Sequence, residues 1–178
     1  MPRLFRLFAI PLGLILAVAL YPPAPAPAAV LDVVCTPPSS DLVTYRPPLT
    51  ATAQDVSIDA TTHYGPCAAA GVPGLTSGSR AFQGSGSRSC LSLLSSGTET
   101  FTITWNTGQT STVSVAKLVT VAGATLVVTF TGTVTAGLFT GSRVLQTVTG
   151  PATDITLCTL GLGTVSSISS LVTLEITA

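Results

Sequence analysis

Apolar and polar residues alternate along much of this chain, and the clearest example is the stretch TFTITWNTGQTSTVSV at residues 100–115. Apolar residues occupy every second position before the central Asn-Thr-Gly and resume at Val113. Threonine and serine fill most of the positions between them. Such alternation is typical of a β-strand with one face in a core and the other in solvent. The stretch therefore predicts two strands joined by a tight turn.

The length of that turn sets the register of the predicted hairpin. A two-residue turn would place Ile103 opposite Thr112 and so set apolar residues against polar ones. A three-residue turn at residues 106–108 instead places Phe101 opposite Val113. It also puts its glycine at the left-handed position of a type I turn followed by a bulge. The alternation therefore predicts the three-residue turn.

The same alternation predicts eight or nine strands in all, with no helix of ten residues. Further strands are expected near residues 42–45, 56–58, 118–121, 125–135, 144–148, 155–160 and 172–176. Residues 42–45 are interpreted as an edge strand stopped by Pro47 and Pro48, and a single helical turn is possible at 165–171. Short strands separated by frequent turn residues are typical of a sandwich. We expect one antiparallel β-sandwich of the immunoglobulin-like type over residues 29–178. Its predicted core comprises Phe101, Ile103, Leu126, Val128, Phe130, Leu174 and Ile176.

One segment, residues 64–97, interrupts this rhythm because glycine, serine and proline occur throughout it. It is predicted to be a long Gly/Ser-rich loop, and loops of this length are usually functional or disordered. Two of the four cysteines, Cys67 and Cys90, lie within it. A loop held between two cysteines is a common way to present a contact surface from a rigid scaffold.

The amino-terminal residues 1–28 have the pattern of a signal peptide. Arg3 and Arg6 precede an apolar run at residues 7–20, and Ala26 and Ala28 provide the small residues that a signal peptidase recognises. The apolar run is shorter than the ~20 residues of a spanning helix. We therefore expect cleavage after Ala28, secretion, and no stable membrane insertion of the mature chain.

An even number of cysteines in an exported chain predicts two disulfides. Cys35, Cys67, Cys90 and Cys158 allow three pairings, among which the sequence does not decide. The pairing Cys35–Cys67 with Cys90–Cys158 is preferred. It would close an early two-strand unit and tie the long segment to the last part of the sheet.

Charge and chemistry narrow the classes of function. Seven basic and seven acidic residues become five and seven once Arg3 and Arg6 are removed, a net charge near −2. Such a chain has no electrostatic attraction to nucleic acid. No metal-ligand spacing, cofactor motif or paired catalytic carboxylates are present. We predict no catalytic residues, no metal and no cofactor.

Two residues nevertheless deserve alternative interpretations. His63 is the single histidine, and a hydrolase could use it with Asp59 and a serine of residues 64–97. Trp105 could form a platform for a carbohydrate, although it shares a strand face with Phe101 and Ile103, which favours packing in the core.

The segments CTPPSS, YGPC, SCLSLL and TITWNTGQTSTVS, together with the signal-like start, resemble small secreted all-β proteins of actinobacteria. That group has no assigned activity, so the resemblance implies no site residues. The expected function is a secreted, non-enzymatic binding or surface-interaction module with an extracellular or cell-wall partner. The alternative is an extracellular hydrolase that uses His63.

Overall fold

The computed structural model describes residues 31–178, so the predicted signal peptide lies outside the described residues. The described chain forms ten β-strands, one short α-helix and one 3₁₀ turn. The strands are β1 (Leu31–Cys35), β2 (Ser40–Leu49), β3 (Gln54–Tyr64), β4 (Cys67–Ala69), β5 (Gly78–Arg88), β6 (Gly97–Trp105), β7 (Thr110–Ala122), β8 (Thr125–Gly137), β9 (Arg143–Pro151) and β10 (Val165–Thr177). The 3₁₀ turn is Cys90–Leu94, and the helix α1 is Thr153–Thr159.

Eight strands form a closed antiparallel barrel. Neighbouring strands follow chain order from β2, β3 and β5 through β10, and β10 closes the ring by pairing with β2. The predicted immunoglobulin-like sandwich is therefore wrong, because one sheet closes on itself where a sandwich needs two facing sheets. The first half of β10 pairs with β2, and its second half pairs with β1. The other edge of β1 pairs with the short strand β4.

The predicted core is largely confirmed because alternate residues of each strand point into the barrel. Ile103, Leu126, Phe130, Leu174 and Ile176 are buried, and Phe101 and Val128 are partly buried against them. Threonine and serine occupy most of the outward positions, which agrees with the alternation in the sequence.

The predicted hairpin at residues 100–115 is confirmed in its register. Phe101 pairs with Val113 and Ile103 with Ser111, and Gly108 has a φ of 82°. Only glycine adopts this left-handed conformation without a steric penalty. The alternation therefore predicted the turn length correctly.

Three local predictions are wrong. The strand expected at residues 155–160 is helix α1, whose buried residues Ile155 and Cys158 are spaced by one helical turn. The helical turn considered at residues 165–171 is the start of β10. Strand β2 continues through Pro47 and Pro48, and it pairs with β3 on one side and β10 on the other.

The segment at residues 64–97 is also different from the predicted loop. It contains β4, β5 and the 3₁₀ turn, and β5 pairs with β3 from Gly78 to Arg88. Strand β5 escaped detection because its inward positions carry glycine and arginine where an ordinary strand would carry apolar residues. The segment is therefore mainly barrel wall.

The two disulfides have the preferred pairing and stabilise opposite ends of the barrel. Cys35–Cys67 joins β1 to β4, next to the larger apolar cluster around Trp105. Cys90–Cys158 joins the 3₁₀ turn to α1 within a second apolar cluster. The turn and the helix together cover one end of the barrel.

Candidate functional site

The residues of the predicted alternative hydrolase lie on the outer face of the barrel. His63 is exposed on β3 and points away from the interior, as do Asp59 and the other odd-numbered residues of that strand. The Asp59 carboxylate accepts a hydrogen bond of 2.9 Å from Gln83 Nε2 and lies 3.7 Å from Arg46 Nη1. Within residues 31–178, the side-chain hydrogen bonds and ion pairs do not bring a serine or carboxylate to the His63 ring. The structure therefore does not bring these residues together.

Trp105 packs inside the barrel, which agrees with the prediction of a core residue. It is 2% exposed, and its indole Nε1 donates a hydrogen bond of 2.8 Å to Ser111 Oγ. The rings of Tyr64 and Phe139 lie 6.5 and 6.1 Å from it, centroid to centroid. Such packing leaves no ring face for a carbohydrate.

A cavity of about 330 Å³ lies in the barrel interior between the two apolar clusters. Its apolar wall includes Val119, Leu126, Val128 and Ile168, from strands β7, β8 and β10. An eight-stranded barrel has an interior that is either filled by side chains or able to hold one small ligand. Here the end around Trp105 is filled, and the middle of the barrel is open.

Small side chains on β5 contribute to this space. Its inward positions include Gly84 and Gly86, which occupy almost no volume in the lumen. Their neighbour Phe82 also faces inward and lines the cavity, and its ring lies against Gly84. The Phe82 ring therefore occupies the space beside Gly84, whereas a methyl group at Gly86 would meet no atom closer than 3.8 Å.

The barrel wall has one gap, between β5 and β6. These two strands form only two residue pairs, Gly78 with Trp105 and Ser79 with Thr104. Beyond Ser79 they diverge, although β5 stays paired with β3 and β6 with β7 along their lengths. Phe82 borders this gap and is 53% exposed although it lines the cavity. The cavity therefore adjoins an opening in the side of the barrel.

Charged side chains line the cavity beside this gap. Lys117 Nζ on β7 lies 2.9 Å from Glu99 Oε1 on β6. The other carboxylate oxygen of Glu99 lies 3.9 Å from Nη2 of Arg80, which is on β5. The three side chains form a charged cluster across the gap between β5 and β6.

Arg80 is the most buried member of this charged cluster, with a side chain that is 14% exposed. Its guanidinium carbon lies 3.9 Å from the centroid of the Phe101 ring, which is a cation–π contact. Its Nη1 atom is buried and has no hydrogen-bond acceptor among the described residues. A buried donor without an acceptor costs about 1–3 kcal/mol. The Nη1 donor of Arg80 therefore lies in the cavity wall without a hydrogen-bond acceptor from the described residues.

Asp41 faces the charged cluster from β2. Thr62 Oγ1 donates a hydrogen bond to its Oδ1. Burial raises the pKa of Asp41 above its usual value, and the hydrogen bond from Thr62 and the charge of Arg80 oppose this effect only in part. Burial thus disfavours the charged form of this carboxyl group.

Two tyrosines complete the polar groups of the interior. Burial raises the pKa of Tyr45 to about 12 and raises that of Tyr64 still further. Both phenols are therefore neutral at physiological pH. The Tyr64 hydroxyl donates to Oε1 of Gln146, which lines the cavity from β9.

No group of three or more His, Cys, Asp or Glu side chains in residues 31–178 is placed to hold a metal ion. Over the same residues, no helix has the length and apolar character needed to cross a membrane.

Comparison with protein-family models, with curated proteins and with solved structures gave no match for this chain. The barrel and its cavity are therefore interpreted from their own geometry.

The charged residues of the cavity were not predicted from the sequence, although three of its apolar residues, Leu126, Val128 and Phe130, were predicted to lie in the core. Arg80 and Glu99 are inward-facing charges in strands, and a charge at such a position is a signal of a polar or liganded interior. The inward position of Arg80 is not recognisable in the sequence, because the surrounding segment is rich in glycine and serine and is therefore predicted to be a loop. The cysteines were the only predicted site residues that the structure places near the cavity, through the Cys90–Cys158 disulfide at its covered end.

Proposed function

We propose that this chain is a secreted, non-enzymatic binding protein that holds a small, mostly apolar molecule inside its barrel. The observation that carries this proposal is the 330 Å³ cavity, which lies in the interior and whose wall combines apolar side chains with charged and polar ones. Ligand sites are usually concave spaces of about 300–1,000 Å³ with apolar walls and a few polar groups. The cavity is at the lower end of that range, which favours one small molecule.

Residues 64–97 contribute to the proposed site, although they do so as part of the barrel wall and not as a loop. Arg80, Phe82, Arg88, Ser92 and Leu93 all line the cavity. The 3₁₀ turn is joined to α1 by Cys90–Cys158, so the covered end is held by a covalent bond. A preformed cavity reduces the ordering entropy that a ligand would otherwise have to offset.

Secretion is part of the same proposal. Two disulfides are typical of proteins that fold in an oxidising compartment. Mass spectrometry of the exported protein should give an amino terminus at Ala29 and a mass four hydrogens below that of the thiol form. An intact residue 1–28 segment on the exported protein would contradict signal cleavage.

The proposal is tested with a neutral fluorescent probe, N-phenyl-1-naphthylamine, and a matched pair of variants on β7. Val119 lines the cavity, and Leu118 is 60% exposed on the outer face. Val119→Trp should fill the cavity and reduce probe affinity at least tenfold, because the added ring occupies the ligand space. Leu118→Trp should leave probe binding unchanged while adding the same aromatic group.

Wild-type protein that does not bind the probe, or that binds it equally in both variants, would contradict the proposal. The hydrolase alternative has its own test, which is turnover of ester and glycoside substrates by wild-type protein and by His63→Ala. A turnover that His63→Ala abolishes and that Val119→Trp leaves intact would favour the alternative.

A further inference from the structure

We propose that the ligand is an amphipathic molecule with a single carboxylate, and that Arg80 binds this carboxylate beside the gap between β5 and β6. This inference rests on the proposed function, since it assigns a chemical class to the occupant of the same cavity.

The first argument is the hydrogen-bonding state of Arg80. Its Nη1 is buried without an acceptor, and its Nη2 has only a long contact of 3.9 Å to Glu99. A guanidinium presents its N–H donors in a planar fork that matches the two oxygens of a carboxylate. A ligand carboxylate would satisfy the buried donor that the protein leaves unpaired.

The second argument is the charge balance around Arg80. Glu99, the nearest carboxylate, is in a closer contact with Lys117, at 2.9 Å. Asp41 is hydrogen-bonded to Thr62 and its burial disfavours the charged form. The charged side chains that line the cavity are thus three cations, Arg80, Arg88 and Lys117, and two carboxylates, Asp41 and Glu99. The charged cluster therefore favours an added anion.

The third argument is the shape of the site. The charged cluster lies across the gap between β5 and β6, and the apolar wall continues from there to Leu126 and Ile168 near the covered end. An apolar chain could therefore lie along the lumen with its polar end at Arg80. A cavity of 330 Å³ has room for about ten groups of the size of a water molecule. This size fits a medium-chain or aromatic monocarboxylic acid.

The gap offers the route by which such a molecule reaches the interior. Phe82 borders it and is half-exposed, and only two residue pairs join β5 to β6. The two barrel ends are covered by the Trp105 cluster and by the disulfide-linked turn and helix. Access through the side wall places the ligand directly beside Arg80.

The test is calorimetric titration of the full secreted protein with decanoate and, separately, with decan-1-ol. The two probes share a chain length and differ in the head group. Decanoate should bind at least tenfold more tightly than decan-1-ol. Arg80→Gln should abolish the preference for decanoate while leaving decan-1-ol binding unchanged. Arg80→Lys should retain part of the preference, because lysine keeps the positive charge but lacks the planar guanidinium.

Arg143→Gln is the matched control, because Arg143 is an exposed arginine on the outer face of β9 and does not line the cavity. It should retain the preference for decanoate. Equal affinities of wild-type protein for the two probes, or loss of the preference in Arg143→Gln and not in Arg80→Gln, would overturn the inference while leaving the proposed function intact. Failure of wild-type protein to bind either probe or N-phenyl-1-naphthylamine would overturn both.

Should Arg80→Gln not fold, Lys117→Gln provides a second measurement. Removal of Lys117 frees Glu99 to pair with Arg80, so decanoate affinity should fall and decan-1-ol affinity should not. An unchanged decanoate affinity in folded Lys117→Gln would count against the charge argument.

Discussion

The hydroxyl group of Tyr64 donates a hydrogen bond of 2.9 Å to Oε1 of Gln146 in the interior of the barrel. Tyr64 lies on β3 and Gln146 on β9, which are not neighbours in the sheet, so this bond crosses the lumen. Both side chains are buried. Tyr64 also packs against Trp105, and Gln146 lines the cavity. The bond thus forms part of the boundary between the filled end of the barrel and its open middle.

Tyr64→Phe should destabilise the protein by about 1–3 kcal/mol, because it leaves the buried Gln146 oxygen without a donor. Urea denaturation of the single variants and of Tyr64→Phe/Gln146→Leu measures the coupling. The double variant should recover part of the loss, since it removes both polar partners. Purely additive losses would show that the bond contributes little.

Gly132→Ala should lower stability by more than about 2 kcal/mol, because a methyl group at this position would overlap the carbonyl oxygen of Ser114 on the neighbouring strand. Gly97→Ala is the matched control, since nothing lies within 4 Å of the added methyl group there. Thermal unfolding followed by circular dichroism compares the two. Equal melting temperatures would contradict the close approach of β7 and β8 at Gly132.

Asp41 should make stability fall as pH rises above about 4. Its pKa is raised in the folded protein, so the folded state keeps a proton that the unfolded chain has released. Stability decreases with pH wherever the native state binds more protons than the unfolded state. The loss of folding stability due to Asp41 is absent below the pKa that the residue has in the unfolded chain. It grows as pH rises to the pKa in the folded protein and is constant above that pH.

Asp41→Asn retains an acceptor for Thr62 and removes the charge. Urea denaturation should give equal stability for the variant and the wild type near pH 3.5. At pH 7 the variant should be more stable, by about 1.4 kcal/mol for each unit of pKa shift. Arg80, Glu99, Lys117, Tyr45 and Tyr64 face the same interior and are common to both proteins, so their contributions cancel to first order in the difference. A difference that is independent of pH would contradict the prediction.

Loss of the Cys90–Cys158 disulfide should destabilise the protein more than loss of Cys35–Cys67. The first closes a sequence separation of 68 residues and the second one of 32. Chain entropy alone makes the longer loop worth about 0.7 kcal/mol more. Guanidinium denaturation of the two double-alanine variants measures this difference. A greater loss in the Cys35→Ala/Cys67→Ala protein would mean that native-state contacts outweigh loop length.

Local structure in this chain was predictable where side chains alternate regularly. The turn after Trp105 could be predicted because only one turn length sets Phe101 against Val113, and the structure has that pairing. The disulfide pairing was preferred from the order of the strands, and the structure agrees.

The closure of the sheet could not be predicted from the same pattern. Alternation records which face of a strand is buried, and a barrel and a sandwich both bury one face of each strand. The distinction depends on whether β10 pairs with β2, which is a contact between distant parts of the chain. Nothing in either strand's own residues specifies that partner.

The cavity was missed for a related reason. Apolar residues indicate a core by filling it, whereas an unfilled interior is marked by small or charged residues at inward positions. Gly84, Gly86 and Arg80 occupy such positions on β5. Whether these residues point into the barrel can be judged only once β5 is recognised as a strand. The pairing of β5 with β3 identifies it as one.

The pairing of β10 with β2 has a consequence for how the protein is made. Ser40 pairs with Leu171, so the ring stays open until the last of the described strands has been synthesised. A chain still being synthesised on the ribosome therefore has no closed barrel. Once released, it must bring two distant segments together before its interior is sealed. Folding dominated by such distant pairings takes milliseconds to seconds, which sets the time during which unpaired strand edges are exposed to neighbouring chains.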